Sequence, residues 1–94
     1  MKDRIVLVTG ATRGLGFAIA ENFTRVGAKV ALNYAHDDVT AKSAKERLSK
    51  QGSVELFKAD ALSEDGAQSL VTSVREKWGE IDTVVLNATP IQYE

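Results

Sequence analysis

The sequence predicts an α/β domain built on a parallel sheet. Short apolar runs alternate with helix-periodic segments along all 94 residues, the first of these runs is continuously apolar, and glycines at 27, 52 and 79 fall where the helical segments end. Strands that alternate with helices pair in parallel through right-handed crossovers, so the implied order is β-α-β-α-β-α-β.

Ile5–Val8 (IVLV) is rich in β-branched residues and suits a strand, β1, buried on both faces. Leu15, Ile19, Phe23 and Val26 recur at spacings of four and three, which places an apolar stripe on a helix, α1, that Gly27 closes in the left-handed cap position. Residues 29–34 (KVALNY) form β2. Asp37-Asp38 offers the N-cap of α2, which runs to Gly52 with a thin stripe of Val39, Ala44 and Leu48. Residues 54–59 (VELFKA) alternate only in part, as expected of a strand, β3, near a sheet edge. Ser63 followed by Glu64 and Asp65 is a capped, dipole-matched start for α3, whose stripe of Ala67, Leu70, Val71, Val74 and Trp78 ends at Gly79. Trp78 belongs to the core on this pattern. Residues 83–86, preceded by Ile81, are β4, which ends at Asn87-Ala88.

Composition narrows the function. A chain of 94 residues holds one domain, and 44% apolar with 27% charged residues is ordinary for a globular one. A net charge of −1 argues against a nucleic-acid partner or an anionic membrane surface held by bulk electrostatics. No cysteine occurs and His36 is the single histidine, so disulfides, thiolate metal sites and histidine metal clusters are not expected. The apolar runs are far shorter than the roughly 18 to 20 residues of a membrane span, and Met1-Lys2-Asp3-Arg4 leads into a strand and not a signal peptide. A cytoplasmic location is the expectation.

The informative stretch is TGATRGLG, residues 9–16. A strand that runs through glycines into a helix aims unpaired backbone N–H groups and the positive end of the helix dipole at one point, where anions bind. Gly10 permits a tight turn, and side chains at 14 and 16 would obstruct either a phosphate reaching the backbone or the helix lying close on the strand. A plain βα loop using glycine for geometry alone is the alternative for one such motif. The phosphate loop of nucleotide triphosphatases is excluded because no Gly-Lys-Ser/Thr follows, and a receiver-type phosphoacceptor would need an aspartate where β1 ends in Thr9.

The spacing T-G-x-x-x-G-x-G resembles the short-chain dehydrogenase/reductase family, whose members bind NAD or NADP on a Rossmann sheet. Four features stand in the family's order: TGATRGLG after β1, GAKVALNY for β2, Ala59-Asp60-Ala61-Leu62 after β3 and Leu86-Asn87-Ala88 after β4. The last reads Asn-Asn-Ala-Gly in the family, so Leu86 and Thr89 depart from it. The resemblance implies a partial, doubly wound Rossmann fold with four parallel strands in the order 3-2-1-4, a truncated dinucleotide-binding domain over residues 1–94. It implies a cofactor site made by Gly10, Thr12, Arg13, Gly14, Leu15 and Gly16 at the diphosphate and by Asn33 and Tyr34 at the end of β2. Asp60 would accept a hydrogen bond from the adenine amino group with Ala61 flanking the ring, and Asn87, with Ala88, would tie β4 to its neighbours beside the cofactor. Capping of the loop before α3 is the other reading of Asp60, and a strand-end turn that of Asn87.

NADP is the expected dinucleotide. NAD-preferring Rossmann proteins carry an acid at the end of β2, whereas Asn33 and Tyr34 are uncharged. A carboxylate about 4 Å from a 2′-phosphate would cost on the order of 4 kcal/mol near a surface. Arg13 opposes the α1 dipole by roughly 0.3 to 1 kcal/mol unless an anion offsets it, and its guanidinium grips phosphate with two hydrogen bonds. NAD stays possible if Asp37 or Asp38 serves as the acid, although both fit the cap of α2, and His36 reads as a solvated loop residue.

Hydride transfer in the family depends on a serine and a Tyr-x-x-x-Lys pattern beyond β4. Neither is found here: Tyr34 is followed four residues later by Asp38, and Tyr93 stands next to last. The resemblance thus implies an NADP-preferring oxidoreductase of ketones or alcohols, of which this sequence holds the cofactor-binding half without a catalytic set. The other reading is a stand-alone minimal nucleotide-binding or assembly module without redox chemistry. The dinucleotide would cross the sheet between β1 and β4, and β4, as an unpaired edge, invites homo-oligomer formation or self-association.

Overall fold

A four-residue strand that is apolar throughout has to bury both of its faces, and β1 (Ile5–Val8) does so by alternation. Val6 and Val8 enter one buried cluster with Ala20, Val30, Leu32, Ala44 and Leu48. Ile5 and Leu7 enter a second with Ala31, Leu70 and Val74. The two clusters are the two faces of the sheet, the first covered by α1 (Gly14–Arg25) and α2 (Asp38–Ser49), the second by α3 (Glu64–Trp78). This computed structural model describes residues 2–12 and 14–87. β1 pairs in parallel with β2 (Lys29–Tyr34) and β4 (Thr83–Val85), and β2 with β3 (Val54–Lys58), giving the order β3-β2-β1-β4. The α/β doubly wound architecture and the strand order expected from the sequence are those of the structure.

The helix ends follow local chemistry. Asp37 caps α2 by accepting the Thr40 N–H at 3.0 Å, and Ser63 caps α3 by accepting the Gly66 N–H at 2.9 Å. Gly27 (φ 93°) closes α1 with a pair of bonds, Gly27 N–H to Thr24 O and Ala28 N–H to Phe23 O. Gly79 (φ 103°) closes α3.

Several expectations are corrected. The buried residues of α1 are Gly16, Ala20 and Thr24, with Phe17, Ile19 and Phe23 half-buried beside them, while Leu15 is 69% and Val26 54% exposed. Small residues at i, i+4 and i+8 let the helix axis lie close on the sheet, so larger side chains flank the contact and do not fill it. The Thr24 hydroxyl is satisfied within the helix by donating to Ala20 O at 2.8 Å. In α2 the buried residues are Ala41, Ala44 and Leu48, and Val39 is exposed; in α3, Val71 is exposed beside buried Leu70 and Val74. Gly52 does not close α2, whose cap is Lys50. A Cβ at Gly52 would stand 3.0 Å from Thr24 Cγ2 and 3.2 Å from the Thr24 carbonyl oxygen, so this glycine lies where α1 approaches closely.

Candidate functional site

The parallel sheet brings the loops after β1, β2, β3 and β4 to one end, and the loop after β1 is stitched in place from both sides. The Thr9 N–H and hydroxyl both donate to Val85 O, and the same hydroxyl accepts the Asn87 N–H at 2.9 Å. Asn87 Nδ2 donates to Gly10 O at 3.1 Å. On the β2 side, the Ala11 N–H donates to Asn33 O at 3.0 Å. Gly10 (φ 60°) and Gly14 (φ 63°) take the left-handed conformations this path requires.

The glycines divide the work. A Cβ on Gly16 would collide with the Gly10 carbonyl and stand 2.6 Å from Asn87 Nδ2, so residue 16 is where α1 meets the β1 and β4 ends. Among the described residues, apart from its chain neighbours and its own helix backbone, a Cβ on Gly14 would meet nothing within 4 Å, so that part of the loop faces open space. Next to it lies a cleft of ≈ 230 Å³ lined by Gly10, Thr12, Tyr34, Ala35, His36 and Asp37.

α1 begins differently from its neighbours. α2 and α3 each have a capping side chain and acids in the first turn, namely Asp38 in α2 and Glu64 with Asp65 in α3. The first turn of α1 has no acid, and among the described residues no side chain accepts from the amides of Gly14, Leu15 or Gly16. The first amides of a helix lack intrahelical acceptors, so these point outward with the positive end of the dipole behind them.

The remaining sequence-predicted residues separate. Asn33 is 2% exposed, and its Nδ2 donates to Phe57 O and Ala59 O, both at 3.1 Å. Its side chain therefore fastens β2 to the β3 end instead of facing the cleft. Tyr34 lines the cleft, and its hydroxyl donates to Asp38 Oδ1 at 2.8 Å. Lys58 closes on the same carboxylate at 3.3 Å. The Tyr34 hydroxyl, then Lys58, hold the Asp38 carboxyl below the usual aspartate range, and the bond to Asp38 pushes the Tyr34 phenol up. Asp60 accepts the Leu62 N–H at 3.0 Å through Oδ1, while its carbonyl accepts from Ser63. It shapes the loop before α3, and neither it nor Ala61 lines the cleft. Arg13 and Ala88 lie outside the described residues. Sequence reading passed over Lys58, whose signal is visible only once Tyr34 and Lys58 are known to be register partners, and the Thr9 hydroxyl, which joins β1 to β4.

A larger hollow of ≈ 390 Å³ at the end of α3, lined by Thr72, Arg75, Glu76, Gly79 and Glu80, lies away from these loops, with Arg75 paired to Glu80 at 2.7 Å. Among the described residues no group of three or more metal-binding side chains is assembled, and no helix is long and apolar enough to cross a membrane.

The same arrangement recurs in known proteins. The chain is 38% identical over 88 residues to an NADP-dependent (R)-specific alcohol dehydrogenase of Lentilactobacillus kefiri, covering 94% of this chain and 34% of that protein. It is 37% identical over 89 residues to an L-rhamnose 1-dehydrogenase (NAD(P)(+)) of a Sphingomonas species, covering 94% of this chain and 35% of that one. The fold superposes on L-sorbose reductase from Gluconobacter frateurii, a crystal structure complexed with NADPH and L-sorbose. The TM-score is 0.90 at 29% identity, over 100% of this chain and 36% of that one. The chain spans about a third of the length of the curated relatives it matches. The short chain dehydrogenase family model matches residues 4–93 of this chain, whose sheet is ordered 3-2-1-4: the chain belongs to that family.

Proposed function

We propose that the chain holds the dinucleotide of an NADP-preferring short-chain oxidoreductase acting on a ketone or alcohol, as its cofactor-binding half. The observation that carries this reading is the open start of α1, the one helix among the three without a capping carboxylate or hydroxyl among the described residues. Its outward amides fit a diphosphate. Thr12, Gly14, Leu15 and Gly16 would hold the diphosphate with Arg13, Tyr34 would border the adenosine ribose, and Asp60 with Ala61 would meet the adenine. Asn87 and Ala88 would set β4 beside the nicotinamide end. When bound, the nicotinamide supplies or accepts hydride. This chain's own residues bind and orient it, and no catalytic group is assigned among them.

The uncharged β2 end supports the 2′-phosphate form. Titration of NADPH and of NADH, read by energy transfer from Trp78 to the reduced nicotinamide, should give tighter binding of NADPH, weakened by Arg13→Ala. Equal affinities, or an NADPH affinity untouched by that substitution, would remove the preference, and no binding of either at millimolar concentration would remove the reading.

β4 pairs only with β1 among the described residues, and Val84 and Leu86 are exposed. We assign this edge to pairing with a second copy in a cytoplasmic setting. A sedimenting monomer at every concentration would count against it.

A further inference from the structure

Tyr34 and Lys58 are the last residues of β2 and β3 and stand directly opposite each other in the register. Between them sits the carboxylate of Asp38, the first residue of α2. It accepts the Tyr34 hydroxyl at 2.8 Å on Oδ1 and the Lys58 ammonium at 3.4 Å on Oδ2, with the Lys42 charge one turn along the helix also acting on it. Asp37, next to it, has its two oxygens on the Thr40 N–H and hydroxyl, so capping α2 does not require Asp38. Tyr34 is also a wall of the cleft that contains Gly10 and Thr12.

We infer that Asp38 and Lys58 together set the preference at the 2′ position of the nucleotide, Asp38 by withholding two donors from a 2′-phosphate and Lys58 by neutralising Asp38. The inference rests on the reading of this cleft as the adenosine end of a dinucleotide site. A phenolic O–H has one proton to give, and Asp38 takes it. The ammonium of Lys58 is engaged by the same carboxylate at 3.3 Å. A phosphate group arriving beside Tyr34 meets two donors already engaged by the Asp38 carboxylate, and the carboxylate of Asp37 in the cleft wall. With Asp38 gone, it would meet a hydroxyl and a cation able to turn toward it. With Lys58 gone, it would meet the Asp38 carboxylate still held by the Tyr34 hydroxyl, its charge no longer offset by that ammonium.

The test is isothermal calorimetry with NADP and with NAD on the wild-type chain, Asp38→Asn and Lys58→Met, with circular dichroism checking that each variant folds. Asp38 and Lys58 are 55% and 53% exposed in their side chains, so the effect of one charge is modest, about fivefold in affinity. Asp38→Asn should tighten NADP by about that factor and Lys58→Met should weaken it similarly, NAD moving by less than about twofold in both, and the differences should shrink at 1 M salt. A role in supporting α2 alone would move both nucleotides together. An NADP-to-NAD ratio that stays within about twofold in both variants, or moves in the opposite sense, overturns the inference and leaves dinucleotide binding standing. Failure of the wild-type chain to bind either nucleotide overturns the binding reading and this inference with it.

Discussion

Gly16→Ala tests the junction on which the loop geometry depends. The added methyl would overlap the Gly10 carbonyl, which is main chain, and crowd Asn87 Nδ2 at 2.6 Å. Neither neighbour yields easily, since the Gly10 oxygen and Asn87 Nδ2 are hydrogen-bonded to each other at 3.1 Å and Asn87 is also tied to Thr9. Overpacking of this kind costs about 1–3 kcal/mol. Loss of the Asn87–Gly10 bond adds about 1 kcal/mol. The greater backbone rigidity of alanine in a helix returns about 0.5–1 kcal/mol. The net is a loss of about 2 kcal/mol, a large share of the roughly 5–14 kcal/mol available to a chain of this size. Gly14→Ala is the matched control: among the described residues, apart from its chain neighbours and its own helix backbone, nothing lies within 4 Å of its Cβ, and the φ of 63° opposes the substitution. It should cost about 1 kcal/mol. Urea unfolding followed by fluorescence of Trp78, which packs edge-on to Phe57 with ring centroids 6.3 Å apart, resolves the two, because about 2 kcal/mol moves the midpoint by more than about 1 M. A Gly16→Ala chain as stable as the parent, or less perturbed than Gly14→Ala, would refute the claim that residue 16 is glycine because backbone and side chains from β1 and β4 press against it.

Glu55 on the edge strand β3 reaches Lys45 of α2 at 2.7 Å and Lys77 of α3 at 3.4 Å, joining helices from both faces of the sheet. These lysines, Lys45 foremost, hold its carboxyl below the usual glutamate range, so its contribution is complete above the ordinary value of about 4.3 and disappears as pH falls through the lower folded value. The groups are a third to a half exposed, so Glu55→Gln should cost only about 0.5–1 kcal/mol at neutral pH and almost nothing near pH 3; an equal cost at both pH values in urea melts would contradict the ion-pair account. Asn33→Ala removes both bonds to the Phe57 and Ala59 carbonyls at a site 2% exposed, and should destabilise by about 2–3 kcal/mol, with faster hydrogen exchange at Ala59, whose N–H donates to Tyr34 O. A change below about 0.5 kcal/mol would mean that water or a neighbour satisfies those carbonyls as well as the amide does.

The element order could be read from the sequence because each strand and helix is a local pattern. β1 declares itself by having no polar residue to turn outward, and α3 by a capping serine, two acids and a stripe closed by Gly79. The faces of α1 and α2 were harder to read because periodicity alone takes the largest apolar residues as the buried ones. In α1 the sheet is so close that Gly16, Ala20 and Thr24 occupy the contact, and Leu15 and Val26 project from the sides. Gly52 misled for a related reason: a glycine after a helix reads as a cap, but this one makes room for Thr24, a residue 28 positions earlier (52 − 24) that no local pattern connects to it.

The candidate site divides along the same line. The glycine loop and the Asn87 tie follow from residue types at fixed spacing, which is why TGATRGLG and Leu86-Asn87 both fall at one end of the sheet. What happens at the end of β2 does not, because Asn33 and Tyr34 are adjacent letters with opposite fates. Period two sends Val30 and Leu32 to the α1–α2 face and Ala31 to the α3 face, so Tyr34 follows the former and Asn33 the latter. Asn33 is thereby committed to the backbone at the end of β3 and is unavailable to a ribose, while Tyr34 meets the first turn of α2. The register then adds Lys58, which spacing along the chain could not have paired with either. The charge that a nucleotide would encounter beside Tyr34 is therefore a property of three elements brought together. Reading only the β2 terminus counts no carboxylate there, whereas the folded chain presents Asp38 already balanced by Lys58.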